Sequence, residues 1–69
     1  MSASLSPRER ETLAFLVKGQ ANKEIARALG VTEATVKVYC KSLFGKLGVG
    51  NRTQAAMWAV TNLPEMRIA

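Results

Sequence analysis

The chain has no histidine, no aspartate and a single cysteine, Cys40, among its 69 residues. Without histidine, and with one cysteine, it cannot supply the usual zinc-ligand sets or a Ser-His-Asp or Cys-His nucleophilic arrangement. All five acids are glutamates, so there is no aspartyl-phosphate acceptor either. These absences exclude the familiar catalytic constellations, and the expectation is a protein with no enzymatic activity, no metal site, no cofactor and no small-molecule ligand. One cysteine forms no internal disulfide, which fits a reducing, cytoplasmic setting. Long apolar runs are missing as well. Nothing approaches the roughly 20 residues of a membrane span, and Met1 to Leu5, followed by Pro7 and alternating charges, does not read as a signal peptide.

What is present is ordinary for a small globular protein, except in charge. Hydrophobic residues make up 48% and charged residues 22%, too apolar a mixture for a disordered tail. The length admits one domain, residues 1–69. A chain this short buries only about 60% of its unfolded surface, so its core is marginal and a partner subunit would help it. Ten Lys and Arg against five Glu leave a net charge of +5. That surplus points to an anionic partner, either nucleic acid or a membrane surface.

The punctuation of the chain predicts an all-α fold: a four-helix compact domain around a central helix-turn-helix, with its core over about residues 5–63. Ser6 is placed to cap a first helix, with Pro7 at its first position and Glu9 three residues after the cap, as in a capping box. Leu13, Leu16 and Val17 form its apolar stripe, with Phe15 beside them, and Gly19 stops it. Asn22 reads as the next cap, before Ile25, Ala26 and Leu29, and Gly30 as the next stop. Thr32 caps a third helix that starts at Glu33. The connection Gly30-Val31-Thr32 suits a helix-turn-helix and equally an αα-corner in an ordinary bundle. After Gly48 and Gly50, Asn51-Arg52-Thr53-Gln54 reads as a second capping box. In the fourth helix Ala56, Ala59, Val60 and Leu63 are expected on the core side, with Met57 and Trp58 pointing away from it. Pro64 closes the domain and 65–69 is read as a tail. No strand is signalled.

The third helix, about 33–47, separates its residues by angle. At about 100° per residue, Val36, Cys40, Leu43, Phe44 and Leu47 fall on one apolar face. Ala34, Lys37, Val38, Lys41 and Gly45 occupy an outward sector that contains no acid, and Thr35, Tyr39, Ser42 and Lys46 lie on the remaining flank. A solvated helix face ordinarily interleaves both signs of charge. An acid-free face with Lys37, Val38 and Lys41 near its start suits the major groove of B-DNA, where Lys donates to guanine O6 and N7 and Val packs on a thymine methyl. Helix starts at Asn22 and Thr32 suit phosphate oxygens, with Lys23, Thr35 and Lys46 adding to them. The plainer alternative is that these lysines only solubilise an exposed helix. Membrane-surface binding fits less well, because no large apolar face accompanies the lysines.

Five blocks then carry a resemblance: Leu5-Ser-Pro-Arg-Glu-Arg-Glu, Gly19-Gln-Ala-Asn22-Lys-Glu-Ile-Ala26, Thr35-Val-Lys37-Val38, Lys46-Leu-Gly-Val49 and Asn51-Arg-Thr-Gln-Ala55. In this order and without gaps they resemble the LuxR/FixJ-type helix-turn-helix, over nearly the whole chain from Leu5 to Leu63. The stretch from Thr35 to Lys41 is most similar to the nitrate-response branch. The resemblance implies the DNA-binding domain of a bacterial transcription regulator, acting on double-stranded operator or promoter DNA. It implies base-edge contacts from positions Lys37, Val38 and Lys41, and phosphate contacts from Asn22, Lys23, Thr32, Thr35, Tyr39 and Lys46. It also implies a homodimer through the fourth helix, with Met57 and Trp58 in the interface, reading a two-half-site operator. RNA polymerase is a further partner of regulators of this kind, and no residue of the chain is assigned to it.

The chain departs from the pattern in places. Tyr39 stands where many members have His and so brings no positive charge. Ser42 replaces a frequent Asn, and Gly45 replaces a longer residue, weakening the helix locally by about 1 kcal/mol relative to Ala. Cys40 reads as a small core residue. For Met57 and Trp58 the competing role is to cover the edge of the core. The competing function is a helix-turn-helix that holds another regulator without reading DNA.

Overall fold

A computed structural model describes residues 4–67 and folds them into four α-helices and one short 3₁₀ turn, with no strand among the described residues. The first helix, α1 (Pro7–Val17), begins where the local chemistry directs it. Ser6 Oγ accepts from the Glu9 N–H at 3.1 Å, and Glu9 Oε1 accepts from the Ser6 N–H at 2.8 Å, a closed capping box. Helix α2 (Asn22–Leu29) ends at Gly30, whose φ of +71° is the left-handed conformation that glycine adopts without a Cβ penalty. Three residues later α3 (Glu33–Leu47) starts, with Thr32 Oγ1 accepting from the Thr35 N–H at 3.1 Å. Helix α4 (Arg52–Asn62) follows the turn at Gly48 to Asn51.

Two caps differ from the sequence reading. Asn22 is the first residue of α2 and not its cap: the cap is Ala21, whose N–H donates to Glu24 Oε1 at 2.8 Å, while the methyl side chain offers no oxygen in return. The Asn22 amide is instead drawn to Arg52, 30 residues on. At α4 the Asn51 side chain accepts from the Gln54 N–H at 2.9 Å as expected, but Gln54 Oε1 accepts from the Gly50 N–H at 2.7 Å, one residue before the cap.

The core forms where the four apolar faces meet. Leu13 and Leu16 of α1, Ile25 and Ala26 of α2, Val36, Cys40, Leu43 and Leu47 of α3, and Ala55 and Ala59 of α4 are buried. Helix α4 lies chiefly along α1, and α2 along α3. The buried side of α4 is turned by roughly 70° from the side expected. It centres on Ala55 and Ala59, with Ala56, Val60 and Leu63 only half-buried. Two alanines one turn apart let the α4 backbone approach α1 closely, which bulkier side chains would prevent. The same rotation carries Trp58 to the rim of the core, where it is half-buried and packed, and leaves Met57 outside.

Residues 65–67, read from the sequence as part of a tail over 65–69, are built into the fold together with Pro64. Pro64–Met66 is a 3₁₀ turn; Glu65 pairs with Arg10 of α1, and Arg67 Nε donates to the Val60 carbonyl at 2.8 Å. Ile68 and Ala69 lie outside the described residues.

The buried stripe of α1 holds two polar residues, Glu9 and Thr12, together with Leu13 and Leu16. Thr12 Oγ1 donates to the Arg8 carbonyl one turn back, at 2.9 Å. Glu9 reaches across to α3: its Oε1 accepts from Lys46 Nζ at 2.8 Å and its Oε2 from Ser42 Oγ at 3.1 Å. The Lys46 ammonium, followed by the Ser6 N–H, holds the Glu9 carboxyl at about 2, below its ordinary 4.5. Because the folded state lowers this value, the contact stabilises fully above about pH 4.5 and is lost as the pH falls towards 2. Solvent reaching the half-exposed lysine limits the gain, so urea unfolding should show a loss on the order of 1–2 kcal/mol across that window. Glu9→Gln should show a shallower acid decline. Gly45 has ordinary helical geometry and open space where a Cβ would stand, so Gly45→Ala should raise stability by about 0.5–1 kcal/mol in the same assay.

Candidate nucleic-acid interface

Burying Val36, Cys40, Leu43 and Leu47 fixes the rotation of α3 about its axis and therefore decides what it shows to solvent. Ala34, Lys37, Val38, Lys41 and Gly45 are all exposed, and Val38 keeps 65% of its surface although it is an aliphatic residue. Neither Lys37 nor Lys41 has an ion-pair partner among the described residues. The three side chains expected at base edges thus share one exposed sector that itself carries no acid, with Glu33 at its edge one turn before Lys37. At the start of the helix the Thr32 and Thr35 hydroxyls lie 3.0 Å apart, with Thr35 half-buried beside Val36. Tyr39 is half-buried on the flank.

The positions expected on phosphates differ in how free they are. Lys23 is exposed on the first turn of α2. With Ala21 as its cap, that helix starts without a side-chain acceptor, so its first N–H groups are left for other partners. Asn22 Oδ1 accepts from Arg52 Nη2 at 3.1 Å, and the same nitrogen donates to the Gln20 carbonyl at 3.1 Å, tying the start of α4 to the α1–α2 turn. Lys46 is committed to Glu9, with the Ser4 carbonyl at 3.5 Å from its ammonium. Sequence reasoning placed Lys46 among free cations and did not anticipate Arg52 or Glu9 as cross-links. The capping-box position of Glu9 was its only visible signal.

Cys40 is a core residue, as read: it is buried, and that burial pushes its thiol up against the opposing pull of the Arg52 charge. Away from this face of α3, Met57 keeps 64% of its surface and lines a shallow groove with Val49, Gln54, Trp58, Thr61 and Asn62.

The family "Bacterial regulatory proteins, luxR family" matches residues 3–59, nearly the whole chain. The chain belongs to the luxR family of bacterial regulatory proteins. This luxR-type domain is 52% identical over 62 residues to the CsgBAC operon transcriptional regulatory protein of Escherichia coli strain K12, covering 90% of this chain and 29% of that protein. To the nitrate/nitrite response regulator protein NarL of the same strain it is 46% identical over 54 residues, 78% of this chain and 25% of NarL. To the transcriptional regulatory protein LiaR of Bacillus subtilis strain 168 it is 44% identical over 59 residues, 86% of this chain and 28% of LiaR. The chain spans between a quarter and three-tenths of the length of these relatives. The resemblance read from the five sequence blocks is thus shown, and with it a helix-turn-helix of the DNA-binding, transcription-regulating class.

The burial of the luxR-type domain separates its two large α4 residues. Trp58→Ala should lower unfolding free energy by about 1–3 kcal/mol, since part of a packed aromatic is removed, whereas Met57→Ala should change it by less than about 0.5 kcal/mol. Denaturant titration of the two variants checks this; equal losses would contradict the placement.

Proposed function

We propose that the chain is one sequence-specific unit, residues 1–69 with its core at about 5–63, that reads double-stranded DNA for a cytoplasmic bacterial transcription regulator. The observation that carries this reading is the exposed, acid-free face of α3 bearing Lys37, Val38 and Lys41. On this reading α3 lies in the major groove. Lys37 and Lys41 donate to guanine O6 and N7, and Val38 packs on a thymine methyl. Lys23, the uncapped start of α2 with Asn22, and Thr32, Thr35, Tyr39 and Lys46 lie along the phosphates and fix the register without selecting sequence. The matches to transcription regulators support the assignment, and the name of NarL fits the nitrate-response pattern seen from Thr35 to Lys41.

Helix α4 supplies the second half of the proposal. Exposed Met57, with half-buried Trp58 beside it, offers an apolar strip that a second copy of the domain would cover. A two-fold dimer through α4 would set two α3 helices on the half-sites of a roughly palindromic operator. RNA polymerase is a further partner on this reading, met at the promoter.

Selection from random duplex DNA supplies the cognate site, on which the roles separate. Lys37→Ala should cost about 1–3 kcal/mol on that site and little on a site already altered at the contacted base. Lys23→Ala should weaken all sequences alike and reduce the salt slope by about 1. Mobility shifts across a salt series measure both, and equal losses on every sequence from both variants would overturn the division.

A further inference from the structure

The Glu9 carboxylate gathers three donors, one from the cap of its own helix and two from α3. Lys46 Nζ and the Ser6 N–H both donate to Oε1 at 2.8 Å, and Ser42 Oγ donates to Oε2 at 3.1 Å. The two charges are unequally placed. Glu9 is 7% exposed, whereas the Lys46 side chain is 44% exposed on the flank of α3 that carries Thr35 and Tyr39. The anion is thus held inside the α1–α3 seam while its cation stands at the surface. An ion pair this close has no net charge when met from several Å away, so a phosphate approaching Lys46 meets a fixed N–H donor and not an unopposed cation. An ammonium carries three donors; one is on Glu9, one points to the Ser4 carbonyl at 3.5 Å, and the third is left over.

We propose that Glu9 is a positioning residue for DNA binding: it neutralises Lys46 and fixes its ammonium beside the recognition helix, so that Lys46 grips a phosphate by a preset hydrogen bond and contributes almost nothing to the salt dependence. The inference rests on the DNA-binding reading and sharpens it, because the charge that displaces counterions then resides on Lys23, Lys37 and Lys41. A residue needed only for folding would alter stability and leave the salt dependence of the folded protein unchanged.

The test compares the unmodified chain with Glu9→Gln, Lys46→Gln and the double variant. Affinity for the selected duplex is measured from about 50 to 200 mM salt, with a thermal melt confirming that each protein is folded. Glu9→Gln keeps an acceptor for the Ser6 N–H and turns an NH2 donor towards the Ser42 hydroxyl, which can accept it, but it unmasks the ammonium. Its log-log slope should steepen by up to about 0.9, an extra loss of about threefold in affinity over that fourfold rise in salt. The double variant exchanges a neutral pair for a neutral pair, so it should bind more weakly at every salt concentration with the slope of the unmodified chain. A Glu9→Gln slope equal to that of the unmodified chain, or a double-variant slope flatter by about 0.9, would overturn the proposal, since Lys46 would then act as an ordinary free cation. Should Glu9→Gln fail to fold, the double variant decides alone. Absence of any binding by the unmodified chain at low salt would overturn the DNA-binding reading itself, an outcome distinct from either slope.

Discussion

The joining of α1 to the second half of α3 through one carboxylate is the constraint on which the rest of the structure depends. Glu9 first closes the helix it belongs to, by accepting from the Ser6 N–H, and then reaches α3 through Ser42 and Lys46. A core of ten small and medium side chains cannot hold four helices in register by apolar area alone. Directional bonds between named atoms supply what non-directional burial lacks. They set where along α1 helix α3 docks, and the burial of Val36, Cys40, Leu43 and Leu47 sets its rotation. Position and rotation together determine which five residues face outward. Arg52 does the same for α4 by bonding Gln20 and Asn22. The polar cross-links are therefore upstream of the interface, although none of them lies on its outward face.

Charge is distributed to match. The surplus of +5 is a sum over the whole chain, but its parts do different work. Arg10 pairs with Glu65 to fasten the last turn, Arg8 stands 3.8 Å from Glu11, Arg52 bonds across the helix starts, and Lys46 is held on Glu9. Lys37 and Lys41 stay unpaired among the described residues, although Glu33 stands one turn before Lys37. Internal partners thus absorb several of the chain's cations, while Lys37 and Lys41 are left together on the outward side of α3.

Much of this was legible in the sequence, for local reasons. The start of α1, the end of α2 and both ends of α3 follow from Ser6, Gly30, Thr32 and Gly48, whose effects act over three or four residues, and the apolar face of α3 follows from its period. Readings failed where a partner distant in the chain decided the matter. Asn22 has the right side chain for a cap, but Arg52 takes its oxygen and Glu24 caps the backbone one residue earlier. The rotation of α4 could not be read from a segment apolar nearly all round, because the choice of Ala55 and Ala59 depends on how closely α1 can be approached. Residues 65–67 looked like a tail because nothing local orders them; Arg10 and the Val60 carbonyl do.

The alanines at 55 and 59 have a consequence for how this helix can change over time. With the close packing of α4 entrusted to two methyl groups, Gln54, Met57 and Thr61 on its outer side are exposed and carry little of the helix's packing. Apart from the Gln54 bond to the Gly50 N–H, this strip supports no architecture and is free to vary. Substitutions at Met57 and Thr61 leave the helix beneath and the orientation of α3 as they are. In this fold the side of α4 that holds shape and the side open to change lie opposite each other.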